Sequence, residues 1–130
     1  MWKLCTIGEA LIDFVPMEAG KRLKDVVCFR RVAGGAPANV AYAYAHLGGR
    51  AKLITKLGHD AFGDHIVDTL EKGHVDVSSI VRTSRYDTAL AFVSLSADGS
   101  RDFQFYRRTS ADLQLGYEEL DETAKDFDVL

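Results

Sequence analysis

The chain has 130 residues, 47% hydrophobic and 27% charged, enough apolar side chain for one domain or part of one. Lys plus Arg number 16 against 19 for Asp plus Glu, a formal net charge of -3, which argues against a broad nucleic-acid footprint. The first residues, MWKLCTIGEALIDF, carry neither a long apolar region nor a small-residue cleavage site, and no apolar run reaches the roughly 20 residues of a membrane span, so the cytoplasm is expected. Cys5 and Cys28 each stand beside apolar residues and read as buried free thiols in a reducing compartment.

In chain order, LCTIG at residues 4 to 8 is a short apolar run stopped by glycine, the pattern of a buried strand. ALIDFVP follows as a second strand ended by Pro16, with Asp13 between Ile12 and Phe14. A carboxylate in such a run stands either on the wet face of an edge strand or inside a site. VVCFRRV, residues 26 to 32, reads as a third strand, and the second and third together can form a ribbon.

At AGGAPAN the period changes. Gly34 and Gly35 let a ligand approach the backbone, and Pro37 suits the first helical position, where its missing N–H costs nothing. A helix follows in which Val40, Tyr44 and Leu47 fall three and four apart, with Ala41 and Ala43 allowing close packing against a sheet, ended by Gly48 and Gly49. AKLITKLG is a strand, after which Asp60 caps a helix with a stripe of Phe62, Ile66, Val67 and Leu70, stopped at Gly73. His65 and His74 have no metal-ligand spacing around them and read as surface residues.

This strand-helix rhythm argues for a parallel sheet covered by helices. TALAFVSL (88 to 95) and RDFQFY (101 to 106) then flank the Asp98-Gly99 turn signal as a long hairpin. On its second arm Phe103 and Phe105 share one face, which needs a cover: a substrate, a partner subunit or the rest of the domain. YEELDETAKDF (117 to 127) reads as an acidic helix with a solvated face, and the closing DFDVL as the beginning of a further buried strand. A parallel sheet with so few strands leaves edges open, so the chain is expected to be truncated at its C-terminal side.

Asp13, the glycine pair and Asn39 can meet if the second strand and the glycine-led helix converge. A carboxylate accepts from adjacent hydroxyls, bare backbone admits a small ligand, and an amide both donates and accepts. That is the chemistry of a polyol. Asp13 as an exposed strand residue, and Asn39 as a cap on local backbone, remain alternatives. Neither G-x-G-x-x-G, nor a Walker A loop, nor a G-x-S-x-G elbow occurs.

GEALIDFVP, GGAPANVAYAYAHLGG, KLGHDAFG, TALAFVSLSADGSRDFQFYR and SAD at 110 to 112 together resemble the N-terminal portion of a fructokinase-like member of the ribokinase-like carbohydrate kinase family. Gly34, Asn39, Ala41, Gly48 and Gly58 fit the family's first signature, and the resemblance extends over nearly the whole chain. It implies a three-layer α/β/α sandwich with a small β-sheet lid over a sugar pocket. Lid strands are expected near 11-15, 27-32, 88-95 and 101-106. It also implies ATP-dependent phosphorylation of a sugar hydroxyl, with fructose as leading acceptor and Mg2+ required; a monovalent cation is a further candidate. By matching positions, Asp13, Gly34, Gly35 and Asn39 bind the sugar, and the lid residues Phe92, Phe105 and Arg107 close over it. Homodimerisation through the lid is a further expectation.

The sequence departs from the family in two places. The second signature, D-T-x-G-A-G-D, is missing, so the general-base Asp and the nucleotide pocket are expected beyond residue 130 and the chain alone is expected to be inactive. Arg107 is followed by Arg108 and Thr109, where fructokinases often have Asn-Pro. This leaves open a 2-keto-3-deoxy sugar acid or nucleoside acceptor. A catalytically incomplete sugar-binding or assembly module is the alternative outside enzymes.

Overall fold

The structure is a computed structural model describing residues 1–130. In chain order its elements are β1 (Lys3–Ile7), β2 (Leu11–Pro16), β3 (Phe29–Gly34), α1 (Ala36–His46), β4 (Arg50–Gly58), α2 (Ala61–Lys72), β5 (Ile80–Thr83), β6 (Leu90–Leu95) and β7 (Arg101–Tyr106). They form two sheets. The first is parallel in the order β1-β4-β5, and the second is mixed in the order β3-β2-β6-β7. Val129 continues the first sheet on the free side of β1 through a parallel bridge to Leu4, with Cys5 N–H donating to the Val129 carbonyl at 2.8 Å.

The parallel strands join through helices because apolar residues alternate with helix caps between them. Along β4 the side chains of Ala51, Leu53 and Leu57 turn to one face and pack with Ala38, Ala41 and Ala45 of α1 and with Ile66 and Leu70 of α2. Asp60 caps α2 by accepting from Gly63 N–H at 2.8 Å, and Gly73 ends the helix as the sequence predicts. In α1 the buried face is only partly the expected one. Ala41 faces the sheet as expected and Tyr44 packs at its margin, but Val40, Ala43 and Leu47 are exposed, and Ala38 and Ala45 complete the buried face. Small side chains let the helix backbone sit close to the strands, which a Val-Leu stripe would prevent.

The second sheet is built from two antiparallel hairpins, β2-β3 and β6-β7, joined by parallel pairing of Ile12, Asp13 and Phe14 with Leu90, Ala91 and Phe92. One face carries Ile12 and Phe14 against α2, where the Phe14 and Phe62 rings meet edge-on at 5.8 Å. The third strand begins later than expected, at Phe29, leaving Cys28 exposed and unpaired while Cys5 is buried.

The acidic segment does not form the predicted α-helix. It folds as two short 3-10 turns, Tyr117–Glu119 and Glu122–Asp126. Tyr117 is 89% exposed, so no apolar stripe drives a helix, and the acids are drawn inward instead. Glu119 pairs with Lys56 at 2.5 Å, and Asp121 with Lys52 at 3.1 Å. Both lysines project from β4 on the face away from the helices. Burial alone would pull the Lys52 ammonium down, but its bonds to Asp121 and Asp76 outweigh that and hold it above its ordinary value.

Candidate functional site

The end of β3 and the start of α1 make a floor of bare backbone. At Gly35 the chain turns with φ of 101°, a conformation that favours glycine, and a Cβ there would stand 2.7 Å from the Glu9 carbonyl oxygen. A Cβ on Gly34 would collide with Oδ2 of Asp13. The carboxylate therefore lies directly over Gly34, held by central pairing of β2 to β3 on one side and β6 on the other.

Asp13 is half-buried, and desolvation raises its pKa above the usual carboxylate range with no hydrogen bond to offset it. Register places Val32 and Ala91 beside it on the same face, and Phe105 next to Ala91. Phe105 is 53% exposed. Acceptor oxygens without protein donors, bare backbone below and an uncovered aromatic ring to one side together suit a small ligand rich in hydroxyls.

The other expected residues are placed differently. Asn39 lies exposed in the first turn of α1, and with Gly34 it lines a groove of about 410 Å³ bounded by Arg31, Tyr42, His65 and Thr69. Gly34 thus touches both Asp13 and the Asn39 groove. Phe92 points to the opposite face of the sheet from Asp13. It stacks on Phe14 at 4.6 Å and meets Phe29 and Tyr106 edge-on, so its place is in the packing between sheet and helix.

Arg107 follows β7 and lines a second groove, of about 580 Å³, with Thr88, Gln104 and Phe105. Its Nε donates to Asp112 at 2.7 Å, and its Nη2 lies 2.6 Å from the same carboxylate and 3.4 Å from Glu9. The Asp112 side chain is 1% exposed and also accepts from the Ser110 hydroxyl. Sequence reasoning assigned no role to Glu9 or Asp112. Their signal was present in the lone acid between the first two strands and in the SAD triplet, but only the fold brings both to one guanidinium.

The N-terminus of α1 does not fit a phosphate group. At the glycine-led N-terminus of α1 the Ala36 N–H faces the Glu9 carboxylate at 3.4 Å, a group that repels phosphate. No cluster of three or more His, Cys, Asp or Glu able to hold a metal ion forms.

The parallel α/β layer bearing a mixed sheet is a ribokinase-like α/β fold, similar to a putative ribokinase II from E. coli with a TM-score of 0.90 and 28% identity over 99% of this chain and 42% of that one. The chain belongs to the pfkB family of carbohydrate kinases, whose family model matches residues 1–130. It is 50% identical over 115 residues to Fructokinase-1 of Oryza sativa subsp. japonica, covering 88% of this chain and 36% of that protein. The fold is similar to the crystal structure of fructokinase from Xylella fastidiosa, with a TM-score of 0.84 and 43% identity over 94% of this chain and 37% of that one. The same Xylella fructokinase with bound ATP gives a TM-score of 0.82 at 42% identity, over 95% of this chain and 39% of that one. The chain thus spans well under half the length of these relatives.

Proposed function

We propose that the complete enzyme transfers a phosphoryl group from ATP to a sugar hydroxyl, with fructose to fructose 6-phosphate as the leading reaction. The observation that carries this is Asp13, a half-buried carboxylate without a protein donor above Gly34. The 50% identity to a rice protein named Fructokinase-1 supports fructose as the acceptor. In the bound complex Asp13 accepts from sugar hydroxyls, Gly34 and Gly35 leave room for the ring, and Asn39 offers a donor and an acceptor from α1. Phe105 covers the sugar and limits water at the acceptor, with Arg107 beside it at the end of the lid sheet. ATP supplies the phosphoryl group and Mg2+ offsets its charge. In this proposal those sites and the general-base Asp belong to residues outside 1–130.

The pairing of Arg107 with two carboxylates favours a neutral sugar over a 2-keto-3-deoxy sugar acid, because the guanidinium charge is already offset. A cytoplasmic enzyme that dimerises through the exposed Phe103 and Phe105 face completes the proposal; no helix is long and apolar enough to cross a membrane.

The test is ATP-dependent phosphorylation of fructose, ribose, 2-keto-3-deoxygluconate and a nucleoside by the 130-residue chain and by a form extended to the natural stop codon. Turnover of fructose by the extended form alone is the expected result. A folded extended form that phosphorylates none of the four would reject the kinase proposal and leave a sugar-binding or assembly module.

A further inference from the structure

We infer that Glu9 and Asp112 are specificity-determining residues that set Arg107 for a neutral, hydroxyl-bearing acceptor and against an acidic one. This rests on the sugar-kinase proposal above and deepens it. Arg107 carries five N–H donors in a rigid fork. Nε and Nη2 are taken by Asp112 and Glu9, which leaves the Nη1 pair for the groove of about 580 Å³ that Arg107 lines. Two carboxylates about one guanidinium give the trio a negative balance. A sugar hydroxyl can accept from Nη1 without bringing charge, whereas a substrate carboxylate meets a cation already neutralised and two like charges behind it.

The trio is also rigid. Asp112 is 1% exposed and fixed by the Ser110 hydroxyl, and Glu9 reaches from Arg107 to the Ala36 N–H at the helix that carries the sugar floor. The other charged groups lining the groove are Asp87 and Arg108, one of each sign, which leave its balance unchanged. Both are exposed to solvent, where their fields are screened.

The test uses the form extended to the natural stop codon, comparing kcat/KM for fructose with that for 2-keto-3-deoxygluconate in the unaltered protein, Glu9→Gln and Asp112→Asn. Calorimetric binding of the two sugars without ATP is measured in parallel. Each substitution keeps the side-chain shape and removes one charge. The expected result is a fall of at least about tenfold in the preference for fructose, in both turnover and binding. In an Arg107→Gln background the same substitutions should no longer shift the ratio, since both act through the guanidinium. A ratio unchanged in the soluble variants, or a shift of equal size without Arg107, overturns the inference. Should Asp112→Asn fail to fold, Glu9→Gln carries the test, because Glu9 is only part-buried. An extended form that acts on neither sugar overturns the fructose assignment together with this inference; fructose turnover with an unmoved ratio overturns this inference alone.

Discussion

Asp13 is carried by a strand paired on both sides, so its carboxylate has little freedom to turn away from Gly34. Replacing it by Ala removes hydrogen bonds between a charged acceptor and sugar hydroxyls, each worth about 1.5–3 kcal/mol, and should raise the fructose KM by at least about tenfold. Gly34→Ala should do the same by a different route, since the new Cβ displaces the carboxylate. Steady-state kinetics on the extended form reads both; an unchanged KM in both would remove Asp13 from the site. The raised pKa of Asp13 gives a separate outcome. Desolvation makes ionisation costly in the folded state, a penalty absent below the unfolded pKa and complete above the folded one. Asp13→Asn should therefore raise Tm at pH 7.5 and lose most of that gain at pH 4, whereas a stability gain that grows on acidification would contradict the sign. Asp13 and the glycines were legible because a lone acid in an apolar strand and a glycine pair before a helix are local signals. The Arg107 trio was not, since Glu9 lies 98 residues from Arg107 along the chain, although Asp112 is only 5 away.

The helices show where pattern succeeds and where it misleads. Asp60 was readable as a cap, and in the structure its other oxygen also acts: Oδ2 accepts from the Thr88 N–H at 2.9 Å, tying the start of α2 to the approach of β6. Those bonds hold the carboxyl below its usual range against the cost of burial. Asp60→Ala should lose about 1 kcal/mol for the cap and a similar amount for the Thr88 bond, measured by urea denaturation. In α1 close packing at Ala41 was readable, but the spacing of Val40, Tyr44 and Leu47 misplaced the rest of the face: Ala38 and Ala45 flank Ala41 where helix and sheet approach closely, and Val40 and Leu47 turn outward. Ala41→Leu should therefore cost about 1–3 kcal/mol through overpacking, while Val40→Ala, at an exposed position, should stay within about 0.5 kcal/mol. Equal costs at the two positions would reverse the assigned faces. The acidic segment misled for a related reason: its residues satisfy helix propensity, but burial of Lys52 and Lys56 rewards bringing Glu119 and Asp121 inward.

Across the whole molecule, charge fastens the last segment to the central strand. Lys52 is 4% exposed, bonded to Thr123 at 2.7 Å and flanked by Asp76 and Asp121, which also accepts from the Ser79 hydroxyl. Asp121→Ala should release residues 117 to 127 and speed their amide hydrogen exchange, leaving the core of α2 protected. Equal exchange in the variant would show that packing alone holds the segment. The alternation of strand and helix was enough to foresee the parallel sheet, and the Asp98-Gly99 signal to foresee a hairpin; that hairpin and ribbon share one sheet came only from the family resemblance, and the parallel seam of β2 with β6 from neither. That seam is also the costly contact of the second sheet. Each hairpin closes over a local loop, whereas pairing Ile12 with Leu90 closes a loop that contains β4 and α2 and costs more chain entropy. The carboxylate over the glycine floor stands in the middle of this long-range seam, so the candidate site takes shape only when two segments far apart in the chain have met.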